Sequence, residues 1–307
     1  MHLALPAFAS SFVRRDPGRS AMLLLALFAL AWAFVEGVFG ARLQLHYSLM
    51  QVVWCRYAVH LACLLLVVGW RSPTRASRLW RTRRVGFQLS RSVLMLVMPA
   101  SFALSLAAGD RAGTVWALFW MAPLMIIGLA RFALGERVPR WVWAVAAIGS
   151  GVAAVLAEPS LPQSLAGAVL PFVMALSFSV YVVMTRSLRD EPVQANLFFT
   201  ALGVFALLTP LMPFVWVMPN LHDAALLAGI GAVGLLALWA LDRACERAPV
   251  AQVAPTLHVH LLCMALVEWG AAGEAFSHRD LLGAVWIGLA LLALWLWQPS
   301  AERTVPS

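Results

Sequence analysis

The feature that most constrains this chain is a series of apolar stretches, each long enough to cross a bilayer as a helix, that follow one another with little between them. They fall at roughly 20 to 42, 48 to 70, 85 to 108, 112 to 134, 140 to 158, 165 to 186, 193 to 217, 222 to 242, 248 to 272 and 279 to 297. A helix needs about 20 residues to span the hydrocarbon layer, where a backbone must satisfy its polar groups internally. Ten such spans use about 200 residues and leave only short connections. The chain therefore reads as an all-α integral membrane protein of ten transmembrane helices. Its 12% charged and 62% hydrophobic residues lie far from the roughly 25% charge of soluble domains, which excludes an ordinary soluble enzyme.

The formal charge of +8 comes from 22 basic residues, all of them Arg. Read alone it suggests nucleic acid, but most of these arginines lie between apolar stretches, where they set orientation, so the bilayer is the expected partner and nucleic acid is not. With the N-terminus inside, 16 of the 22 arginines fall in cytoplasmic segments and only Arg42, Arg111 and Arg279 in outer loops. Both termini are expected in the cytoplasm, as a segment at 1 to 19 and a tail at 299 to 307. Arg14, Arg15 and Arg19 before an apolar run resemble a secretory leader. The run from Ala21 to Phe39 is too long for one, so a retained first span is expected. The Ala/Leu/Arg-rich composition suggests a GC-rich bacterial genome, hence a bacterial inner membrane.

Internal repetition is visible at several offsets. Leu134-Gly135-Glu136 matches Ala272-Gly273-Glu274 at 138, Gly149 matches Gly288, Pro159 matches Pro299, and Ala29-Leu30-Ala31-Trp32 matches Ala175-Leu176-Ser177-Phe178 at 146. Five spans per repeat is an odd number, so the second repeat, at 165 to 298, enters the membrane from the side opposite to the first, at 20 to 158. Inverted repeats of this kind build alternating-access carriers that bind substrate near the midplane.

These residues carry a family resemblance. Gly135-Glu136-Arg137 closes span four after the mid-span Pro123, Gly273-Glu274 closes span nine, and Arg56 sits in span two. With the five-plus-five repeat, the chain resembles a ten-helix, EamA-type member of the drug/metabolite transporter superfamily over residues 20 to 298. Span nine departs from the pattern, because its proline is Pro255 and the position matching Pro123 is Leu261. The resemblance implies a carrier or exporter of small metabolites with a central cavity lined from both halves.

Ionisable groups inside spans are costly unless paired or hydrated, which makes them the informative residues. Glu36 and Arg56 fall about 9 and 12 Å below the outer surface, and they are placed to meet. Glu36 is expected to bind a proton or a cationic substrate group, with Arg56 tuning it or holding a carboxylate; a structural ion pair between spans one and two is the alternative. His60 lies one turn beyond Arg56, near the midplane, as do His258 and His260 of span nine. They are candidates for substrate contact and a proton-linked step, against plain interhelical hydrogen bonding. Arg91 either snorkels to the basic surface or recognises an anionic group. Glu268 is a candidate gate residue near the outer end of span nine. Trp116 and Trp120, four apart on span four, suit the wall of a cavity for a flat or amphipathic substrate, or else packing against lipid.

Other chemistry lacks support in the sequence. Gly229 to Gly234 fits a GxGxxG pattern, but no strand precedes it inside an apolar span, so small residues for close helix approach are the better reading. Cys55, Cys63, Cys245 and Cys263 show no metal spacing, and no His pair or His/Cys cluster suggests zinc, so neither metal nor cofactor is expected. A nucleophile with its base, HExxH and Walker A are all missing, so an enzyme is not expected. What remains is a secondary active transporter, an exporter or exchanger of a small metabolite such as an amino acid or an aromatic one, working by alternating access, with protons a candidate partner. A passive channel or lipid scramblase stays open beside it. Ten helices enclose a site without help, so a monomer suffices and a homodimer is compatible.

Overall fold

A computed structural model of the protein describes residues 16–66, 79–160, 164–272 and 277–298. All regular structure among them is helical. Nine helices are long and apolar enough to cross a membrane: α1 (Pro17–Gly37), α3 (Val85–Ala107), α4 (Ala112–Leu134), α5 (Arg140–Ala157), α6 (Leu165–Ser187), α7 (Val193–Val215), α8 (Leu221–Arg247), α9 (Val250–Val267) and α10 (His278–Trp297). The tenth, α2 (Leu49–Leu64), is apolar and shorter. The protein is thus a multi-pass, all-α membrane protein, with its spans within a few residues of their expected places. One end differs: α8 runs on past 242 to Arg247, because Arg243 pairs with Glu246 at i,i+3 (2.7 Å) and supports another turn. That extension moves Asp242 from the end of the span to more than a turn inside the helix.

Starts and breaks follow local chemistry. Ser48, Ser164, Asn220 and Ser277 each accept a backbone N–H in the first turn of α2, α6, α8 and α10, supplying acceptors that helix starts lack. α4 is interrupted between Phe119 and Ala122, just before Pro123. α9 begins as a short helix, tightens into a 3-10 segment over Ala254–His258 at Pro255, and resumes at Val259. Pro210 sits in a 3-10 interruption of α7, whereas Pro99 and Pro171 lie within continuous helices. Proline cannot donate to the turn before it, and neighbouring helices satisfy the carbonyls it leaves. At the break in α4 the Trp120 carbonyl accepts from Ser150 Oγ of α5 at 2.8 Å.

The packing has a simple rule. α1 lies along α8 as α6 lies along α3, α2 meets α8 as α7 meets α3, and α1 meets α9 as α6 meets α4. Adding five to one half of these pairs gives the other half. Helices five apart also touch directly: α2 with α7, α4 with α9 and α5 with α10. Trp32 and Phe178, matched in the sequence at offset 146, meet with ring centroids 5.5 Å apart, and Trp120 meets His258, offset 138, at 6.0 Å.

Where α9 crosses α5, His258 lies over Gly149, and a Cβ built at that glycine would overlap the imidazole. Gly149→Ala is expected to lower stability by about 1–3 kcal/mol, the usual cost of overpacking a filled core. A lower thermal midpoint, restored in part by adding His258→Ala, would support the contact. An unchanged midpoint would show that the crossing relaxes freely.

Candidate functional site

The site starts at the end of α1, where the helix widens into a π-helical stretch over Phe34–Gly40. A π turn inserts one extra residue and re-aims the side chains around it. Glu36 sits in this turn. One carboxylate oxygen accepts from Trp32 Nε1, one turn earlier, and the other lies 3.5 Å from His260 Nε2 of α9. Trp32 is packed between Phe28, Phe119, Trp120, Phe178 and His260, so the indole that orients the acid is itself fixed.

Beside it lies a cavity of about 280 Å³ lined by α1, α2, α3, α4, α6, α8 and α9. Its walls are mostly aromatic, with Phe28, Trp32, Tyr57, Phe102, Trp116 and Phe178. Its polar groups are Glu36, Arg56, His60 and Gln44, the last in the exposed α1–α2 connection. At the far end lie Met95 of α3 and Leu238 of α8. Arg56 has its guanidinium carbon 5.0 Å from the Tyr57 ring centroid, and Tyr57 meets His60 edge to face at 4.9 Å. α8 approaches α2 closely here, with Gly231 against Val59 and Gly234 against His60 and Arg56. The GxGxxG pattern is therefore spent on helix packing.

The expected meeting of Glu36 with Arg56 does not occur. No ion pair within 4 Å joins them; the π turn directs Glu36 to Trp32 and His260, while Arg56 lies against Tyr57 across the same cavity. An acid and a guanidinium thus face one aromatic space without neutralising each other.

Of the remaining candidates, Trp116 lines the cavity, while Trp120, His258 and His260 are buried outside its lining. His260 stands behind Glu36 and stacks near Trp32, Trp116 and Trp120. His258 ties the breaks in the two interrupted helices, with Nδ1 3.1 Å from the Pro255 carbonyl and Nε2 3.4 Å from that of Trp120. Arg91 is fully buried and reaches neither the surface nor the cavity lining. It donates to Thr185 Oγ1 (2.7 Å), the Asn196 carbonyl (2.7 Å), Thr200 Oγ1 (2.9 Å) and Gln88 Oε1 (3.1 Å), with Asp242 at 3.7 Å. The Glu268 side chain and Gly273-Glu274 lie outside the described residues. No group of three His, Cys, Asp or Glu among the described residues is placed to hold a metal ion.

A second charged knot closes the Arg-rich end. Gly135 takes the left-handed conformation (φ 68°) that ends α4, a position suited to glycine. Glu136 then reaches both Arg186 Nε (3.1 Å) and the Ala251 N–H (2.8 Å). Arg186 also donates to the Cys245 carbonyl at 2.6 Å. The Gly-Glu pair thus ties α4, α6, α8 and α9 together.

Sequence reasoning missed Asp242, Trp32 and Tyr57. Trp32 was legible as the residue four before Glu36. Asp242 was hidden because it stands at the expected end of span eight, beside Arg243, Glu246 and Arg247, and reads as a terminal charge.

No protein-family model matches the chain. It is 25% identical over 297 residues to a riboflavin transporter of Vibrio cholerae, covering 95% of this chain and 97% of that protein. It is 24% identical over 207 residues to an S-adenosylmethionine uptake transporter of Rickettsia bellii, covering 67% and 70%. A like-named protein of Rickettsia felis is 26% identical over 165 residues, 53% of this chain and 56% of that protein. A protein of known crystal structure superposes with a TM-score of 0.72 at 20% identity, over 94% of this chain and 98% of that one. At that identity the likeness speaks for the fold.

Proposed function

We propose that this protein is a secondary transporter of a small, flat aromatic metabolite, working by alternating access around the cavity between α1, α2, α3, α4, α6, α8 and α9. The observation that carries this reading is the cavity itself: aromatic walls drawn from both halves of the chain, with Glu36 and Arg56 unpaired with each other across it. Aromatic side chains bind planar rings by stacking and edge contacts. A carboxylate and a guanidinium then select for a polar substituent at each side. The Vibrio cholerae protein, similar along nearly the whole chain, makes riboflavin the first compound to test. The Rickettsia relatives add S-adenosylmethionine, whose sulfonium would suit Glu36.

The movement is rocking of two inverted five-helix repeats, 20–158 and 165–298, of the EamA type that the Gly-Glu closures resemble. Its support is the add-five packing rule and the meeting of Trp32 with Phe178 and Trp120 with His258 on the line between the halves. The Arg-rich ends face the cytoplasm of a bacterial inner membrane, with both termini inside, and a monomer encloses the site. Glu36 is the cavity group placed to exchange a proton with transport. Direction follows the combined gradient, so exchange or export and uptake use the same machinery.

The test is counterflow in liposomes loaded with unlabelled compound, using labelled riboflavin, S-adenosylmethionine or an aromatic amino acid outside. Trans-stimulated, saturable uptake of one class is expected. Unsaturable leakage would replace this reading with a channel, and lipid movement between leaflets with a scramblase.

A further inference from the structure

One turn beyond the far end of the cavity, the structure holds a buried charge pair that the site does not use. Met95 and Leu238 line that end; Arg91 lies four residues before Met95 on α3, and Asp242 four after Leu238 on α8, both buried. α3 packs mainly along α6 and α7, and α8 mainly along α1 and α2, so the pair bridges α3 and α8 on the way from the cavity to the Arg-rich end. On that route Gln88 links Asn196 (2.6 Å) to Glu191 (3.2 Å), and Glu191 lines a polar cleft with Arg83, Arg84, Arg243 and Glu246.

The two partners are held differently. Arg91 is anchored by four hydrogen bonds to neutral acceptors on α3, α6 and α7. Asp242 is held more loosely: neither buried carboxylate oxygen has a partner in close hydrogen-bond geometry, Arg91 Nη1 stands at 3.7 Å, and the Asn196 side-chain amide is the hydrogen-bonding neighbour. A static buried ion pair is normally closed by hydrogen bonds on both partners. Here the guanidinium keeps its network whatever the carboxylate does, so the carboxylate is the changeable half. The charged groups acting on it are Arg91 from α3 and Arg243 and Glu246 on its own helix. The Tyr181 hydroxyl of α6, with Tyr57 of α2 beyond it, and Cys245 are the neutral titratable groups nearby.

We propose that Asp242 is a proton-binding site and that, with Arg91, it forms a proton-operated latch beneath the cavity. In the closed state the carboxylate is ionised, and its attraction to Arg91 holds the Arg-rich end shut. A proton from water at that end forms an O–H bond on Asp242, the charge is lost, and the latch releases; return of the proton to water resets it. This rests on the carrier reading for its role in transport, but the proton site and the release can be tested without any substrate.

Cys245, buried one turn beyond Asp242, reports release. The purified full-length protein would be treated with a membrane-impermeant maleimide at fixed pH and labelling read at each cysteine by mass spectrometry. Asp242→Asn is expected to speed labelling of Cys245 by about tenfold or more, as local opening frees a protected site, with Cys55 and Cys263 unchanged; Asp242→Glu should stay protected. An unchanged Cys245 in Asp242→Asn would overturn the latch. Should that variant label at every cysteine, it has unfolded, and infrared titration of the wild type decides. A carboxylic-acid C=O band that grows on acidification and moves in Asp242→Glu supports the proton site; a band identical in the two proteins overturns it. In riboflavin-loaded liposomes, Asp242→Asn should keep counterflow and lose its stimulation by a pH gradient. Absence of counterflow in the wild type would count against the carrier reading and leave the labelling and infrared results to judge the latch.

Discussion

Arg91→Leu is expected to destabilise the folded protein by about 3–5 kcal/mol, the usual cost of stripping one partner from a buried ion pair. The loss should far exceed that of Asp242→Leu, although the two remove the same interaction. Without Arg91, four buried acceptors, Thr185 Oγ1, the Asn196 carbonyl, Thr200 Oγ1 and Gln88 Oε1, lose their donor, and Asp242 loses its neighbouring cation. Without Asp242, the guanidinium still donates to Thr185, Asn196, Thr200 and Gln88. The double variant Arg91→Leu/Asp242→Leu should recover only part of the loss, because it carries no stranded carboxylate but the four acceptors still lack their donor. Thermal midpoints of the four detergent-solubilised proteins check this. Equal losses in the two single variants would mean that the four hydrogen bonds of Arg91 add nothing to its ion pair with Asp242.

How the sequence foretold this arrangement differs from element to element. The helices were legible because the bilayer leaves the backbone one solution over such stretches. Their ends were legible to a few residues wherever Pro, Ser or Asn punctuates them, as at Ser48, Ser164 and Asn220. The end of α8 was not, since the charged run after Asp242, from Arg243 to Arg247, looks like a solvated loop. In fact Arg243 and Glu246 pair along the helix surface while Asp242 turns inward to Arg91. That opposite rotation of neighbours is set by what α3 presents, which no local pattern contains.

The cavity was legible by residue type and not by facing. Glu36, Arg56, His60 and Trp116 are around it, yet regular helical spacing placed Trp116 with Trp120 on one wall. The break after Phe119 separates them, and Trp120 passes behind Trp32 to His258. The π turn at Phe34–Gly40 likewise steers Glu36 away from Arg56. Irregular turns change side-chain direction by tens of degrees without leaving a mark in hydrophobic periodicity, and this site is built at three of them: the π turn, the break in α4 and the 3-10 segment of α9.

Glu36→Gln is expected to weaken substrate binding by about 10- to 100-fold, corresponding to the roughly 1.5–3 kcal/mol of a hydrogen bond to a charged group, while the fold survives. Gln keeps an oxygen for the Trp32 N–H and nearly the same volume, so the aromatic cluster around Trp32 has no reason to collapse. What it loses is the negative charge opposite Arg56. Trp32→Phe separates the two roles of the indole, keeping a ring among Phe28, Phe119 and Phe178 and removing only the donor to Glu36. It should produce a smaller loss of the same kind, because the carboxylate remains charged but is free to swing. Competition for counterflow over a range of substrate concentrations checks both variants. If Glu36→Gln left the concentration for half-maximal exchange unchanged, the acid would be a structural partner of His260, and recognition would have to rest on Arg56, His60 and the aromatic walls alone.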